Sequence, residues 1–209
     1  MVGRKIGLER VNSGSEQLQI LGIIFRSDLS WTDHVNYTVK KAWKALHFII
    51  CILKKGNSGT KSLACKTLVH LILEFGAVCW DLYREGQIHM LDRVQKKVAK
   101  FAYHMSRSNW ETLSQRRKIS RIYALFKAYS GERAWKAIGD GLQRSNYLSR
   151  IDHEQKIRNR RQRMDNGKYS FVYRTIQFWN QLPAEILRTL PRKPSAFRKR
   201  VRRVINVVN

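Results

Sequence analysis

Acidic residues are scarce: 15 Asp and Glu stand against 41 Lys and Arg, leaving a formal net charge of +26 over 209 residues. That scarcity argues against chemistry on phosphates, because two-metal phosphoryl transfer needs carboxylates converging on ions about 4 Å apart. The chain has no Asp-Asp pair and no H-x-E or G-x-x-x-x-G-K-[ST] pattern. Its nearest acidic cluster, Asp152-His153-Glu154, is flanked by Arg150 and Lys156 and reads as a solvated, charge-balanced loop. No catalytic residue and no metal ligand is therefore expected. Cysteine is sparse too. Cys51, Cys65 and Cys79 are evenly spaced, with no C-x-x-C and no Cys/His pairing that would supply four zinc ligands. They read as reduced core thiols. No run approaches the ~20 apolar residues of a membrane span, and no charged-then-apolar leader precedes a cleavage site. An intracellular protein, nuclear or cytoplasmic, without membrane contact is expected.

What is present suits a folded body. Hydrophobic residues make up 43% of the chain, enough to bury a core, and aromatics 11%, with six Trp among them. A compact body at +26 repels itself unless a polyanion neutralises it, so nucleic acid is the expected partner. An anionic membrane would instead call for cations facing an apolar stripe on an interfacial helix, and the bulk of the charge sits elsewhere. Trp31, Trp43, Trp80 and Trp179 fall on apolar stripes or in tight turns, which predicts core anchors rather than stacking platforms.

Along the chain, residues 4–10 and 17–25 are split by the turn-rich Asn12-Ser13-Gly14-Ser15 and predict a β-hairpin. Ser30-Trp31-Thr32-Asp33 resembles a capping box, and Val35, Val39, Ala42, Leu46 and Ile49 recur at helical spacing until Gly56. A second helix opens at Gly59-Thr60 and runs through Phe75, apolar on most sides and so expected at the centre of the core. A third begins near Gln87, with Leu91, Val94 and Val98 on one face and Arg93, Lys96, Lys97 and Lys100 on others. A fourth covers 110–129. Residues 139–166 lose the apolar period and carry Arg158, Arg160, Arg161 and Arg163, predicting a basic linker and a domain boundary. Tyr169 to Trp179 recovers an aromatic pattern, and after Glu185 no acid remains in a basic tail. The fold class is mainly α: a short N-terminal β-hairpin, a helical bundle and a basic C-terminal region.

A succession of motifs carries a resemblance. Leu21-Gly22 is followed by Leu29-Ser30-Trp31, then Leu73-Glu74-Phe75-Gly76, then Val94-Gln95-Lys96, and at last Trp179-Asn180-Gln181-Leu182-Pro183 with Phe197-Arg198. In this order, over nearly the whole chain, they resemble the C-terminal, thumb-side part of LINE-type non-LTR retrotransposon reverse transcriptases. The resemblance implies that 1–29 correspond to a residual palm and primer-grip hairpin, with Leu21 and Gly22 primer-grip-like. Residues 30–138 would form a helical thumb-like domain, 139–168 a basic linker, and 169–209 the Trp-Asn-x-Leu-Pro segment and basic tail. It also implies that the family's metal-holding aspartates, which bind Mg, belong upstream of Met1, so that this chain is a truncated RNA-directed DNA polymerase with no cofactor of its own. A non-enzymatic, host-domesticated RNA- or DNA-binding protein derived from such an element fits the same residues.

The expected nucleic-acid-binding residues are Lys40, Lys41, Lys44, Arg93, Lys96, Lys97, Lys100, Arg116, Arg117, Arg121, Arg158, Arg160, Arg161 and Arg163. The expected ligand is an RNA–DNA or DNA duplex held independently of sequence through its phosphates, with no small-molecule substrate.

Overall fold

The computed structural model describes residues 9–11, 17–28, 30–80, 82, 84–102, 111–149, 152–159, 163, 165–188 and 194–207. The chain is mainly helical behind a short antiparallel sheet, and it divides into two compact units. One comprises 1–76 and 82–110, the other 77–81 and 111–209. The positions 138/139 and 168/169, where the sequence predicted changes of domain, both lie inside the second unit.

In the first unit β1 (Glu9–Val11) pairs antiparallel with β2 (Gln17–Ile20), and β2 pairs antiparallel with β3 (Ile23–Arg26). The hairpin is present and gains a third strand, because the segment read as one run through Phe25 doubles back at Leu21-Gly22. Both residues have positive φ, 51° and 81°, the backbone of a type I′ turn whose twist matches the strands it joins. Residues 4–8 of the predicted hairpin lie outside the described residues.

Helix α1 (Thr32–Ile52) follows without a capping box. Asp33, expected to complete one, accepts a 2.8 Å hydrogen bond from Arg26, and its N-cap Trp31 has no side-chain cap. Phe25 meets Trp31 edge to face at 5.5 Å, tying the sheet to the helix. The second helix runs as α2 (Ser58–Ala64), a π-helical stretch (Cys65–His70) and α3 (Leu71–Glu74). It buries Cys65, Val69 and Leu73, while Leu63, Leu68, Leu71 and Phe75 are 46–65% exposed. Its expected central position is thus corrected: one face is core and the other is an uncovered apolar row. Helix α4 (Glu85–Ala102) packs on α1 through Leu91, Val94 and Val98, with the Gln87 side chain donating to Thr32 at 3.0 Å. The thiols are corrected likewise. Only Cys65 is a core thiol, pushed by burial to a pKa of about 11, whereas Cys51 and Cys79 are exposed.

The second unit is built on α5 (Leu113–Tyr129), opened by a capping box in which Thr112 and Gln115 exchange hydrogen bonds. Short helices α6 (Lys136–Gly139) and α7 (Asp165–Lys168) lead to α8 (Phe171–Asn180), α9 (Ala184–Arg188) and α10 (Pro194–Val207). Both α8 and α10 pack on α5. Their core gathers Ile122, Phe126, Ile176, Trp179, Phe197 and Val201, with the Phe126 and Phe197 rings stacked at 4.2 Å. The described part of the predicted basic tail is a packed helix. Arg202 forks onto Glu111 at 2.6 and 2.8 Å, and Asn206 adds a 2.9 Å bond. Burial raises the Glu111 pKa, but those hydrogen bonds outweigh it and leave the carboxyl below its ordinary value.

The described residues of 142–159 do not form a loose linker. Arg144 bridges Ile157, and the Asn180 amide clasps the Ile157 backbone, donating at 2.8 Å and accepting at 3.0 Å. Trp179 donates its indole N–H to the Gln155 carbonyl at 2.9 Å, and His153, 5% exposed, places Nε2 3.2 Å from the Trp179 carbonyl. The Trp-Asn pair therefore fastens the basic loop to α8. Asp152 accepts from Lys156 at 2.6 Å and from the Ser149 amide, which holds its carboxyl near a pKa of about 2.

Desolvation lowers the His153 pKa below its ordinary value, so the fold prefers the neutral ring. The stabilisation is complete above the unfolded pKa of about 6.5 and is lost as pH falls through the lower folded value. The urea midpoint should therefore drop on acidification below about pH 6.5, and His153→Gln should flatten that drop. Asp152 stays ionised across this range. Equal slopes for the two proteins would exclude His153 as the cause.

Candidate nucleic-acid interface

Helical geometry sorts the predicted cations. On α4, Arg93, Lys96, Lys97 and Lys100 fall at i, i+3, i+4 and i+7, opposite the buried Leu91, Val94 and Val98. All four side chains are exposed. On α1, Lys40 and Lys44 are one turn apart on the face opposite Ala42 and Leu46. None of these six cations is ion-paired with a described carboxylate. Lys41 stands on the other flank of α1, 5.8 Å from the Tyr37 ring, beside the Leu21-Gly22 turn. The structure thus groups the α4 cations and separates Lys41 from them.

The turn itself borders a groove of about 260 Å³ with Tyr37, Leu71, Ile72 and Phe75. Leu21 is 79% exposed at its tip. A large apolar side chain in the left-handed region is a strained, unsheltered arrangement.

In the second unit two predicted cations are not at the surface. Arg117 and Arg121 are each 5% exposed, and the Arg117 guanidinium lies 3.9 Å from the centre of the fully buried Trp80 ring. Leu113, Arg117, Arg121 and Leu125 step by four residues, so both arginines share the buried stripe of α5. That spacing was the available signal. Arg116 is half-buried, Arg158 and Arg163 are exposed, and Arg160 and Arg161 lie outside the described residues. Exposed Arg198, Lys199, Arg200 and Arg203 on α10, absent from the predicted set, add surface charge to this unit.

The tryptophans divide. Trp80 and Trp179 are fully buried anchors, as their apolar settings predicted, but Trp31 and Trp43 are half-buried. Trp43 opens onto a recess of about 460 Å³ lined by His89 and by the α4 cations, with Asp92 its carboxylate. Neither belongs to the predicted set: by its sequence setting Trp43 falls on the apolar stripe, and the signal for His89 is its place one turn ahead of Arg93 on the same face. Among the described residues no group of three or more His, Cys, Asp or Glu could hold a metal ion, and no helix is long and apolar enough to cross a membrane. No family model, no curated protein and no solved structure matches this chain.

Proposed function

We propose that this chain grips the phosphate backbone of a template–primer duplex without reading its sequence, as the thumb-side part of a LINE-type reverse transcriptase. The observation that carries this reading is the α4 stripe. Arg93, Lys96, Lys97 and Lys100 form one exposed row with no described acid paired to them. Lys40 and Lys44 extend the charge onto α1, which packs against α4. Exposed cations in a row suit successive phosphates, because each neutralised phosphate releases counterions whatever the base. The order of motifs from Leu21-Gly22 to the Trp179-Asn180 pair supports the family, and the net charge of +26 supports the polyanion.

The test is fluorescence anisotropy of the full chain with two duplexes of about 20 base pairs and unrelated sequence, across a salt series. Affinity should fall linearly on a log–log plot, with a slope of about −0.9 per phosphate contact, and agree between the duplexes within about threefold. A salt-independent affinity, or a strong preference for one sequence, would overturn the reading.

A further inference from the structure

The recess between α1 and α4 combines two chemistries that a duplex clamp alone does not use. Trp43 stands on the flank of α1, off the buried line of Val35, Ala42, Leu46 and Ile49, and only half-covered. Its ring centroid lies 5.7 Å from that of His47, with the two planes tilted at 55°. Around it stand Arg93, Lys96, Lys97, Lys100 and His89. Elsewhere aromatic rings are capped by cations: Lys61 over Phe101 at 5.1 Å, Lys118 over Phe178 at 4.6 Å, Arg117 over Trp80 at 3.9 Å. Among the described residues no cation caps Trp43, although four border its recess.

We propose that this recess holds one unpaired nucleotide of a single strand, its base stacked on Trp43 and its flanking phosphates on Lys96, Lys97 and Lys100. The volume, about 460 Å³, lies in the range of small-ligand sites and has room for a nucleotide. An indole face accepts any base, so the site is sequence-tolerant, and cations along the rim track the backbone. A base inside a duplex has both faces covered by its neighbours, so the site discriminates for unpaired strand. Asp92 at the rim repels phosphate and leaves the cation row on α4 as the backbone track. The inference rests on the nucleic-acid reading above and deepens it, adding a single-strand subsite to a phosphate grip.

The experiment measures binding of the full chain to a single strand of about 12 nucleotides, to an abasic phosphodiester of equal length, and to a blunt duplex. The wild type should bind the base-bearing strand roughly tenfold more tightly than the abasic one. Trp43→Ala should erase that difference and leave duplex affinity and its salt slope unchanged, while Trp43→Phe should keep most of it. Equal affinity of the wild type for the base-bearing and abasic strands overturns the subsite and leaves the phosphate grip standing. Equal losses on single strand and duplex in Trp43→Ala, with circular dichroism unchanged, overturn it also. Absence of salt-dependent binding to any of the three ligands overturns the phosphate grip and this inference together.

Discussion

Trp179→Ala should cost the second unit about 3–5 kcal/mol, the ordinary consequence of emptying a fully buried aromatic site. The ring lies 5.8 Å from Phe197 and 5.6 Å from Tyr129, so its removal opens a cavity against two further aromatics. It also leaves the Gln155 carbonyl without its 2.9 Å donor. Tyr129, which donates to the Gln155 side chain, loses a neighbour in the same place. A domain with about 5–15 kcal/mol of total stability would keep little reserve after such a loss. Urea denaturation followed by circular dichroism should show the second unit melting at much lower denaturant. Trp179→Phe should recover part of the loss through ring packing but not the indole bond. A shift below about 1 kcal/mol for the alanine variant would mean that Trp179 is not the anchor its burial indicates.

Replacing Lys96, Lys97 and Lys100 together with Ala should produce the largest change in binding. These residues are exposed and make no described ion pair, so their removal leaves the fold intact: Leu91, Val94 and Val98 still seat α4 on α1. If each neutralises a phosphate, the log–log salt slope should shrink by about 2.7, and affinity at low salt should fall on the order of a hundredfold for every duplex alike. Arg117→Ala is the informative contrast. Its guanidinium is spent on the Trp80 ring, so the variant should lose stability, by about 2 kcal/mol, and leave the salt slope unchanged. A triple variant with the wild-type slope would move the phosphate contacts off α4.

Periodicity carried most of the helical reading. Apolar residues three and four apart predicted α1, α4 and α5 within a few residues of their ends, because burial of one stripe is what stabilises such helices. Two features were not legible, and a third was legible in the spacing but hidden by residue type. The third strand was hidden because Leu-Gly lacks the Asn or Asp that usually announces a type I′ turn. The seating of Gln155 and Ile157 comes from side-chain bonds by Trp179 and Asn180 to backbone groups more than twenty positions away, which no local pattern encodes. Residue type alone puts Arg117 and Arg121 of α5 at the surface, although their spacing of four from Leu113 and Leu125 puts them on the apolar stripe. On α4 type and spacing agree, and there the expected cations do form one exposed row.

The uncovered row of Leu63, Leu68, Leu71 and Phe75 gives the first unit two surfaces that answer ionic strength in opposite directions. Dilute salt favours the cationic face and any polyanion on it. Concentrated sulfate or phosphate strips that polyanion away while strengthening contacts between apolar surfaces. Isolation of this chain therefore meets a conflict set by its own topology: a wash strong enough to strip a polyanion from the cationic face is also the wash that drives its leucines together. Chloride at intermediate strength, or a mild solubiliser of apolar surface during the high-salt step, separates the two effects.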